Sequence, residues 1–306
     1  MPTNNTRYTV NGADDPQALG ARDWNEEWKQ LQEIRRKNDK SEYWNKRSKD
    51  FDRPDSVSPY VRELLERAAL EAGDVVLDMG CGTGSVALPL ARAGHRVIAA
   101  DFSEGMIAEA QRRFEAAGAD SIETHVLAWE DNWDAFGIGA KSVDVIIASR
   151  SLAVYDLAAA IDKMNRTARK RCIATMSCGQ SPRMDARILA ACGLENVHGR
   201  DYQYAWNILT NKGYRVDCSF IYSERKDTFE SLEAGFENFK RMIDDLAHLY
   251  PAEQIEEAYE KLRVWLEENS VENEEAGQMD SKGYPQGALR LREPRVIPWA
   301  YLEWSV

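Results

Sequence analysis

Val75-Val76-Leu77-Asp78-Met79-Gly80-Cys81-Gly82-Thr83-Gly84, followed at a distance by Asp101, is the stretch that decides how this chain folds. The apolar run Val75–Met79 predicts a fully buried strand, and Gly84–Ala93 predicts a helix directly after it. Three glycines therefore occupy a tight turn between a strand end and a helix start. Glycine lets a backbone turn sharply and approach a ligand with no Cβ in the way. The unpaired amides of the helix start suit a carboxylate or a phosphate. A second strand is expected over Arg96–Asp101, and an acid at its end can accept hydrogen bonds from both hydroxyls of a ribose.

A dinucleotide site uses the same logic, so the details of the turn matter. The dinucleotide fingerprint is G-x-G-x-x-G, whereas this chain reads Gly80-x-Gly82-x-Gly84 and places Ser85 where the last glycine belongs. The turn is also preceded by Asp78, and an acid there suits a ligand bearing an ammonium group better than a pyrophosphate.

Working outward, residues 56–227 alternate strand and helix signals. Ser58-Pro59 is a helix start, with a capping hydroxyl and proline in the first turn; Val61, Leu64, Leu65 and Ala68 form its buried stripe. Ser103 can cap a helix whose inner face is Met106, Ile107, Ala110 and Phe114. Further strands are expected at Thr124–Trp129, Val143–Ser149, Cys172–Ser177 and near Val216–Tyr222. Apolar strands joined by helices imply a mostly parallel sheet covered on both faces. Before this core, residues 1–55 are a helical cap: Asp23 can cap a helix carrying Trp24, Trp28, Leu31 and Ile34, and a second stretch carries Tyr43, Trp44 and Phe51. After it, residues 228–284 hold two amphipathic helices and a polar loop. Phe229, Leu232, Phe236, Phe239 and Ile243 line the first helix, and Ile255, Tyr259, Leu262 and Leu266 the second. The loop runs through Asn273, Glu274, Gly277 and Gly283. Residues 285–306 close the chain, with Arg295–Trp304 expected to return to the main sheet as an edge or antiparallel strand.

The 306 residues carry a net charge of -12, with 43% hydrophobic and 29% charged residues, which suits a globular domain with a sizeable core. The densest basic cluster, Arg35-Arg36-Lys37, is flanked by Glu33 and Asp39. A nucleic acid would meet net repulsion, so it is not the expected partner. The five cysteines (Cys81, Cys172, Cys178, Cys192, Cys218) form no CxxC pair, so reduced thiols are expected and no metal site. No signal peptide or membrane-span pattern is present in the sequence, and the expected location is cytoplasmic.

VLDMGCGTG resembles motif I of the class I S-adenosylmethionine-dependent methyltransferases, and AADFSEGM resembles their second motif. The closest flavour is the broad UbiE-like group of small-molecule methyltransferases. The resemblance is specific over residues 74–107, fair to about 178 and weak elsewhere. It implies an α/β, Rossmann-like, doubly wound seven-stranded sheet with an antiparallel C-terminal strand, and S-adenosyl-L-methionine as cofactor, released as S-adenosyl-L-homocysteine. By the same resemblance, Asp78, Gly80 and Gly82 surround the methionine portion with Cys81 contributing backbone, and Gly84 completes the turn. Asp101 binds the ribose, and Phe102 and Met106 contact the adenine. The acid that often follows the third strand is displaced in Ala128-Trp129-Glu130-Asp131, leaving Trp129 and Glu130 as the candidates. Ser149 lies beneath the sulfonium. Tyr43, Trp44 and Arg47 resemble an N-terminal segment that closes over the cofactor.

Methyl transfer is an in-line displacement in which the cofactor supplies the activation, so the protein aligns the nucleophile and excludes water. A base is needed only where the nucleophile must lose a proton. Tyr155 and Asp156, just past the fourth strand, are candidates, and Arg150 can pair with an acidic acceptor; none is assigned as catalytic. His125 reads as a packed or surface residue, and His198 and His248 have no motif around them. The segment after the fourth strand lacks an NPPY-type signature, and no Pro-Cys pair occurs, so amino-group methylation of bases and cytosine C5 chemistry are set aside. The expected acceptor is a small molecule. The aromatics Trp24, Trp28, Trp44, Trp299, Tyr301 and Trp304 either suit an apolar or aromatic acceptor or pack cap against core. A homodimer is compatible with the sequence, and the rival reading is a non-catalytic S-adenosylmethionine-binding regulatory or partner protein.

Overall fold

Strand β1 (Val75–Met79) lies inside a seven-stranded sheet, with parallel neighbours β2 (Arg96–Asp101) on one side and β4 (Val143–Ser149) on the other. Side chains alternate across a strand, and β1 serves a core on each face. Leu77 and Met79 join one apolar cluster with Ile146 and Ala148, while Val76 joins the opposite one with Val97, Val145 and Ile147. A strand buried on both faces has no solvent-facing positions to alternate with, which is why this run is apolar apart from Asp78. The computed structural model describes residues 22–35, 41–51, 57–119, 121–179, 184–195, 200–280 and 284–306. Expectations for residues 1–21, Arg36, Lys37, Asp39, His198, Gly283 and the side chains of Arg35 and Phe51 lie outside the described residues.

Outward from the centre, β2 pairs in parallel with β3 (Ile122–Val126) and β4 with β5 (Ala168–Ser177). β10 (Arg295–Ser305) runs antiparallel between β5 and β6 (Asp217–Arg225), giving the order β3-β2-β1-β4-β5-β10-β6. The last strand is thus interior rather than at an edge. It is held there by alternation: Ile297, Trp299 and Tyr301 enter one core, Leu302 and Trp304 the other. β3 begins and ends earlier than expected, because Leu127 and Trp129 belong to a turn and not to the ladder.

One face of the sheet is covered by α3 (Pro59–Ala68), α4 (Ala87–Arg92) and α5 (Glu104–Ala116), the other by α1 (Trp24–Arg35), α6 (Leu157–Thr167) and α8 (Asp201–Asn211). The caps follow the sequence. Ser58 Oγ accepts from the Val61 amide at 3.2 Å, Ser103 Oγ from Met106 at 3.1 Å, and Asp23 Oδ1 from Asn25 and Glu26. Trp28 is fully buried, and its indole N–H donates to the Val154 carbonyl at 2.7 Å, docking α1 on the core.

A third apolar cluster lies outside the main sheet. α9 (Leu232–Asp244) and α10 (Ala252–Asn269) pack there through Phe236, Phe239, Ile243, Ile255 and Leu262. The two expected helices are present, but Leu232 is exposed in the first turn of α9. Phe229 belongs to a three-stranded sheet of β7 (Thr228–Phe229), β9 (Leu289–Leu291) and β8 (Ser270–Glu272). Strands of two or three residues are too short to show a period, so the sequence analysis places Phe229 on the first helix and expects none of these strands. Ile188 and Leu189 of α7 (Ala186–Ala191) join this cluster, so the unit draws on chain from before residue 228. No helix among the described residues is long and apolar enough to cross a membrane.

The chain winds from β1 to β2 and β3 on one side and returns to β4 on the other, so the strand order switches between β1 and β4. In such sheets the crevice beyond the carboxyl ends of those strands is where ligands sit.

Candidate active site

A cavity of about 540 Å³ opens at that switch point. Its wall is built first by the glycine turn. The Gly80 and Cys81 amides both bond the Ala100 carbonyl, at 2.7 and 2.9 Å, and the Gly84 amide bonds Cys81 O at 3.0 Å. Gly80, Gly82 and Gly84 have φ of 77°, 55° and 81°, a region that glycine alone enters without strain. Two of them also answer to packing. A Cβ on Gly80 would lie 2.2 Å from Ser151 Cβ, and one on Gly84 would lie 2.4 Å from the Phe114 ring. The helix expected from Gly84 starts only at Ala87, because residues 84–86 complete the turn.

Asp78 and Asp101 face the cavity from the ends of β1 and β2. Asp101 is fixed by backbone: its Oδ2 accepts from the Gly82 amide and its Oδ1 from the Ser103 amide, each at 2.9 Å. Burial pushes its pKa up, and those two amides oppose the shift. Asp78 is only 1% exposed, and neither of its oxygens has a hydrogen bond of normal geometry. Burial first, and then the neighbouring Asp101 charge, push its pKa up to about 7, which the Ala87 amide offsets only in part. Burial beside the same two acids also holds the Cys81 thiol far above its usual range, so it is not a thiolate nucleophile.

The opposite wall comes from α5 and the turn after β3. Phe102 and Met106 line the cavity with Ala128, Trp129 and Glu130. Asp131 does not line it; its Oδ2 accepts from the Ala128 amide at 2.8 Å and holds the turn that presents Trp129. The Trp129 indole N–H is buried without a partner. Trp44 enters from α2 (Ser41–Phe51), which is latched to α5: Asn45 Oδ1 accepts from Ser103 Oγ at 2.7 Å and from the Gly105 amide at 3.0 Å.

The segment after β4 forms the third wall, with Ser149, Arg150, Ser151, Ala153 and Val154. Ser149 Oγ and Thr175 Oγ1 share the Tyr60 hydroxyl, at 2.9 and 2.6 Å. Arg150 has φ 58°, uncommon for a residue with a side chain, and its amide is held by the carbonyl and hydroxyl of Thr175.

The structure therefore brings together Trp44, Asp78, Gly80, Cys81, Gly82, Asp101, Phe102, Met106, Trp129, Glu130, Ser149 and Arg150. It places the other expected residues elsewhere. Gly84 packs against Phe114. Tyr43 and Arg47 face a second cavity of about 430 Å³, with Arg225, Arg241 and Arg295. Tyr155 and Asp156 are turned toward α1. The Tyr155 hydroxyl donates to Glu33, and Asp156 caps α6 while bonding Asn25 and pairing with Lys29 at 2.7 Å. Their proximity in sequence to β4 is not proximity to the cavity. Among the aromatics weighed for an acceptor, Trp28, Trp299, Tyr301 and Trp304 are buried in the cores, and Trp44 faces the cavity. Ser85, Val86, Ala128, Ser151, Ala153 and Val154 also line the cavity without having been proposed for the site; each lies within five residues of one that was, and that nearness was the available signal.

Residues 76–171 match a family model described as a methyltransferase domain. An uncharacterized protein of Haemophilus influenzae is 35% identical over 187 residues, 59% of this chain and 67% of that protein. Demethylmenaquinone methyltransferase of Clavibacter sepedonicus is 34% identical over 117 residues, 34% of this chain and 47% of that enzyme. The chain thus spans about two thirds of the first relative's length and under half of the second's. A solved structure of an S-adenosylmethionine-dependent methyltransferase from Aquifex aeolicus aligns with 56% of this chain and 89% of its own, at 17% identity and a TM-score of 0.46. The family match begins inside β1 and runs into β5, taking in the glycine turn, both acids and the switch point. This chain belongs to the class I S-adenosylmethionine-dependent methyltransferases.

Proposed function

We propose that this protein transfers a methyl group from S-adenosylmethionine to a small organic acceptor held at the carboxyl end of β4. The observation that carries the reading is Asp78: a buried carboxylate on the wall of a cavity, with no hydrogen bond of normal geometry, is suited to a cationic partner, and the ammonium of the cofactor's methionine portion is one. Bound there, the cofactor supplies an activated methyl, which passes to the acceptor's electron pair as the carbon–sulfur bond breaks and its pair stays on sulfur. Asp78 and the glycine-turn backbone hold the methionine portion. Asp101, already oriented by two amides, keeps lone pairs for the ribose hydroxyls, and Phe102, Met106 and Trp129 enclose the adenine. Trp44 covers the site and excludes water.

Ser149, Arg150, Ser151, Ala153 and Val154 include no carboxylate or imidazole, so this wall positions an acceptor without offering it a base. The acceptor that fits carries a ready lone pair or loses its proton to solvent. The Clavibacter relative, named for a small organic substrate, supports a small-molecule acceptor, and the net charge of -12 argues against a polyanion. A cytoplasmic location belongs to the same proposal, as does compatibility with a homodimer.

Calorimetry with S-adenosylhomocysteine tests the site, and labelled methyl transfer to a small-molecule panel tests the activity. Asp101 also anchors the Gly82 and Ser103 amides, and Asp101→Asn keeps only one of those bonds, so its unfolding stability is measured beside its affinity. Losing a charge-assisted acceptor pair should weaken binding about tenfold to a hundredfold. Absence of adenosylhomocysteine binding to the wild-type chain would overturn the proposal.

A further inference from the structure

We infer that the methyl acceptor is an anion, carrying a carboxylate or phosphate-type group that Arg150 grips at the edge of its guanidinium. The inference rests on the methyltransferase reading and adds the charge of the substrate. The carboxyl ends of the strands present charge in order across the sheet: Asp101 ends β2, Asp78 lies near the end of β1, and Arg150 follows the last residue of β4. Among the described residues lining the cavity, Asp78, Asp101 and Glu130 are the acids and Arg150 is the one cation. The cavity is therefore polarised. Its acidic side suits the cationic methionine portion of the cofactor, and its basic side lies over β4 and β5, where the acceptor must approach.

Arg150 is also built for a ligand and not for a salt bridge. Its guanidinium lies 4.2 Å from the centre of the Tyr60 ring and 5.3 Å from that of Trp299. Stacking engages the faces of a guanidinium and leaves its in-plane N–H donors available. No carboxylate among the described residues pairs with it, although the chain has 51 acidic residues against 39 basic ones. The construction is visible: a left-handed backbone at Arg150, pinned by Thr175 through its carbonyl at 3.1 Å and its hydroxyl at 3.0 Å. A residue with a side chain enters that region at a cost, and such strain gathers where a side chain must be aimed. Tyr60 completes the mount: it is buried, and its hydroxyl joins Ser149 to Thr175 beneath the ring on which Arg150 lies. The planar fork then matches an oxyanion in two-point contact.

The test uses the full chain saturated with S-adenosylhomocysteine and three probes sharing one ring: benzoate, phenylphosphonate and benzamide. Binding is read by saturation-transfer NMR and titration. At least one anionic probe should bind about tenfold more tightly than benzamide, the worth of a charge-assisted contact. Which anion wins distinguishes a carboxylate from a phosphate-type acceptor. Arg150→Met should abolish the preference, and Arg150→Lys, which keeps the charge but neither the stack nor the two-point contact, should keep only part of it. Adenosylhomocysteine affinity within twofold of wild type in both variants shows that the cofactor side is intact. Benzamide binding as tightly as the anions, no binding of either anion, or a preference that survives Arg150→Met would overturn the inference. If the wild-type chain fails to bind adenosylhomocysteine, the methyltransferase reading fails instead, a result separable from these.

Discussion

Asp78 makes ligand binding depend on pH in a direction that can be worked out. An ordinary aspartate titrates near 3.9, whereas Asp78, buried beside Asp101, titrates at about 7. Between those values the folded protein keeps a proton that the unfolded chain has lost, so Asp78 lowers stability as pH rises through that window. A cationic ligand needs the carboxylate, so binding must expel the proton. Adenosylhomocysteine affinity should therefore fall as pH drops below 7, on the order of tenfold between pH 8 and 6. Asp78→Asn should bind more weakly at pH 8 and lose the pH dependence. Calorimetry in buffers of differing ionisation enthalpy reads both the affinity and the released proton; a flat profile in wild type would refute this account. At Gly80 the expected effect is on folding. Gly80→Ala meets Ser151 Cβ and a φ of 77°, and should cost about 2 kcal/mol or more in urea unfolding. Ser151→Gly should restore only the part due to the clash. The turn itself was legible in the sequence because its parts are contiguous. Its contact with Ser151 was not, since that contact exists only once β1 and β4 pair.

At the scale of elements, the cavity depends on how α2 is fastened to α5. Gly105 permits the approach: a Cβ there would lie 3.0 Å from Asn45 Cα. Asn45 then bridges the cap of α5 by accepting from Ser103 and Gly105. Asn45→Ala removes both bonds and should loosen the helix that carries Trp44. Adenosylhomocysteine binding should weaken about threefold to tenfold, and amides of α2 should exchange faster. Unchanged exchange would show that packing alone holds the helix. The sequence predicts a helix here and assigns Tyr43, Trp44 and Arg47 to one cavity, whereas Trp44 lines the first cavity and Tyr43 and Arg47 the second. Those residues lie on another side of the helix, and helical spacing cannot say which side meets the core until a partner helix is in place. Tyr155 and Asp156 lie away from the cavity for a related reason. A loop that follows a catalytic-face strand can turn back on itself, and here Asn25, Lys29 and Glu33 of α1 draw it away.

Across the whole molecule, the added helical unit is joined to the sheet through a buried ion pair that no sequence pattern discloses. Arg295, the first residue of β10, donates to Asp227, which immediately precedes β7; the side chains are 2% and 1% exposed and meet at 2.8 Å. Asp227 also accepts from Arg225 at the end of β6, and its carbonyl receives the Leu291 amide of β9. One carboxylate thus ties the last two strands of the main sheet to the small one. The two arginines line the second cavity beside Arg47 of α2, so this junction borders the helix that carries Trp44. Desolvating two charges is expensive, and the attraction between them repays it only while both are present. Removing one should therefore hurt more than removing both. Asp227→Asn removes the charge that the buried Arg295 meets at 2.8 Å and should cost about 3–5 kcal/mol in urea unfolding. Asp227→Leu combined with Arg295→Met should cost clearly less than the single change, because the buried guanidinium goes with the carboxylate and Arg225, 47% exposed, keeps its water. The comparison also reads cooperativity. If α9 and α10 unfold with the sheet, Asp227→Asn shifts one transition seen by every probe. If the pair is the main tie, the tryptophan Trp265 on α10 should report an earlier transition than far-ultraviolet dichroism of the whole chain. A double variant no more stable than Asp227→Asn would show that the worth of the Asp227 side chain lies in its hydrogen bond to Arg225 of β6 rather than in matched charge.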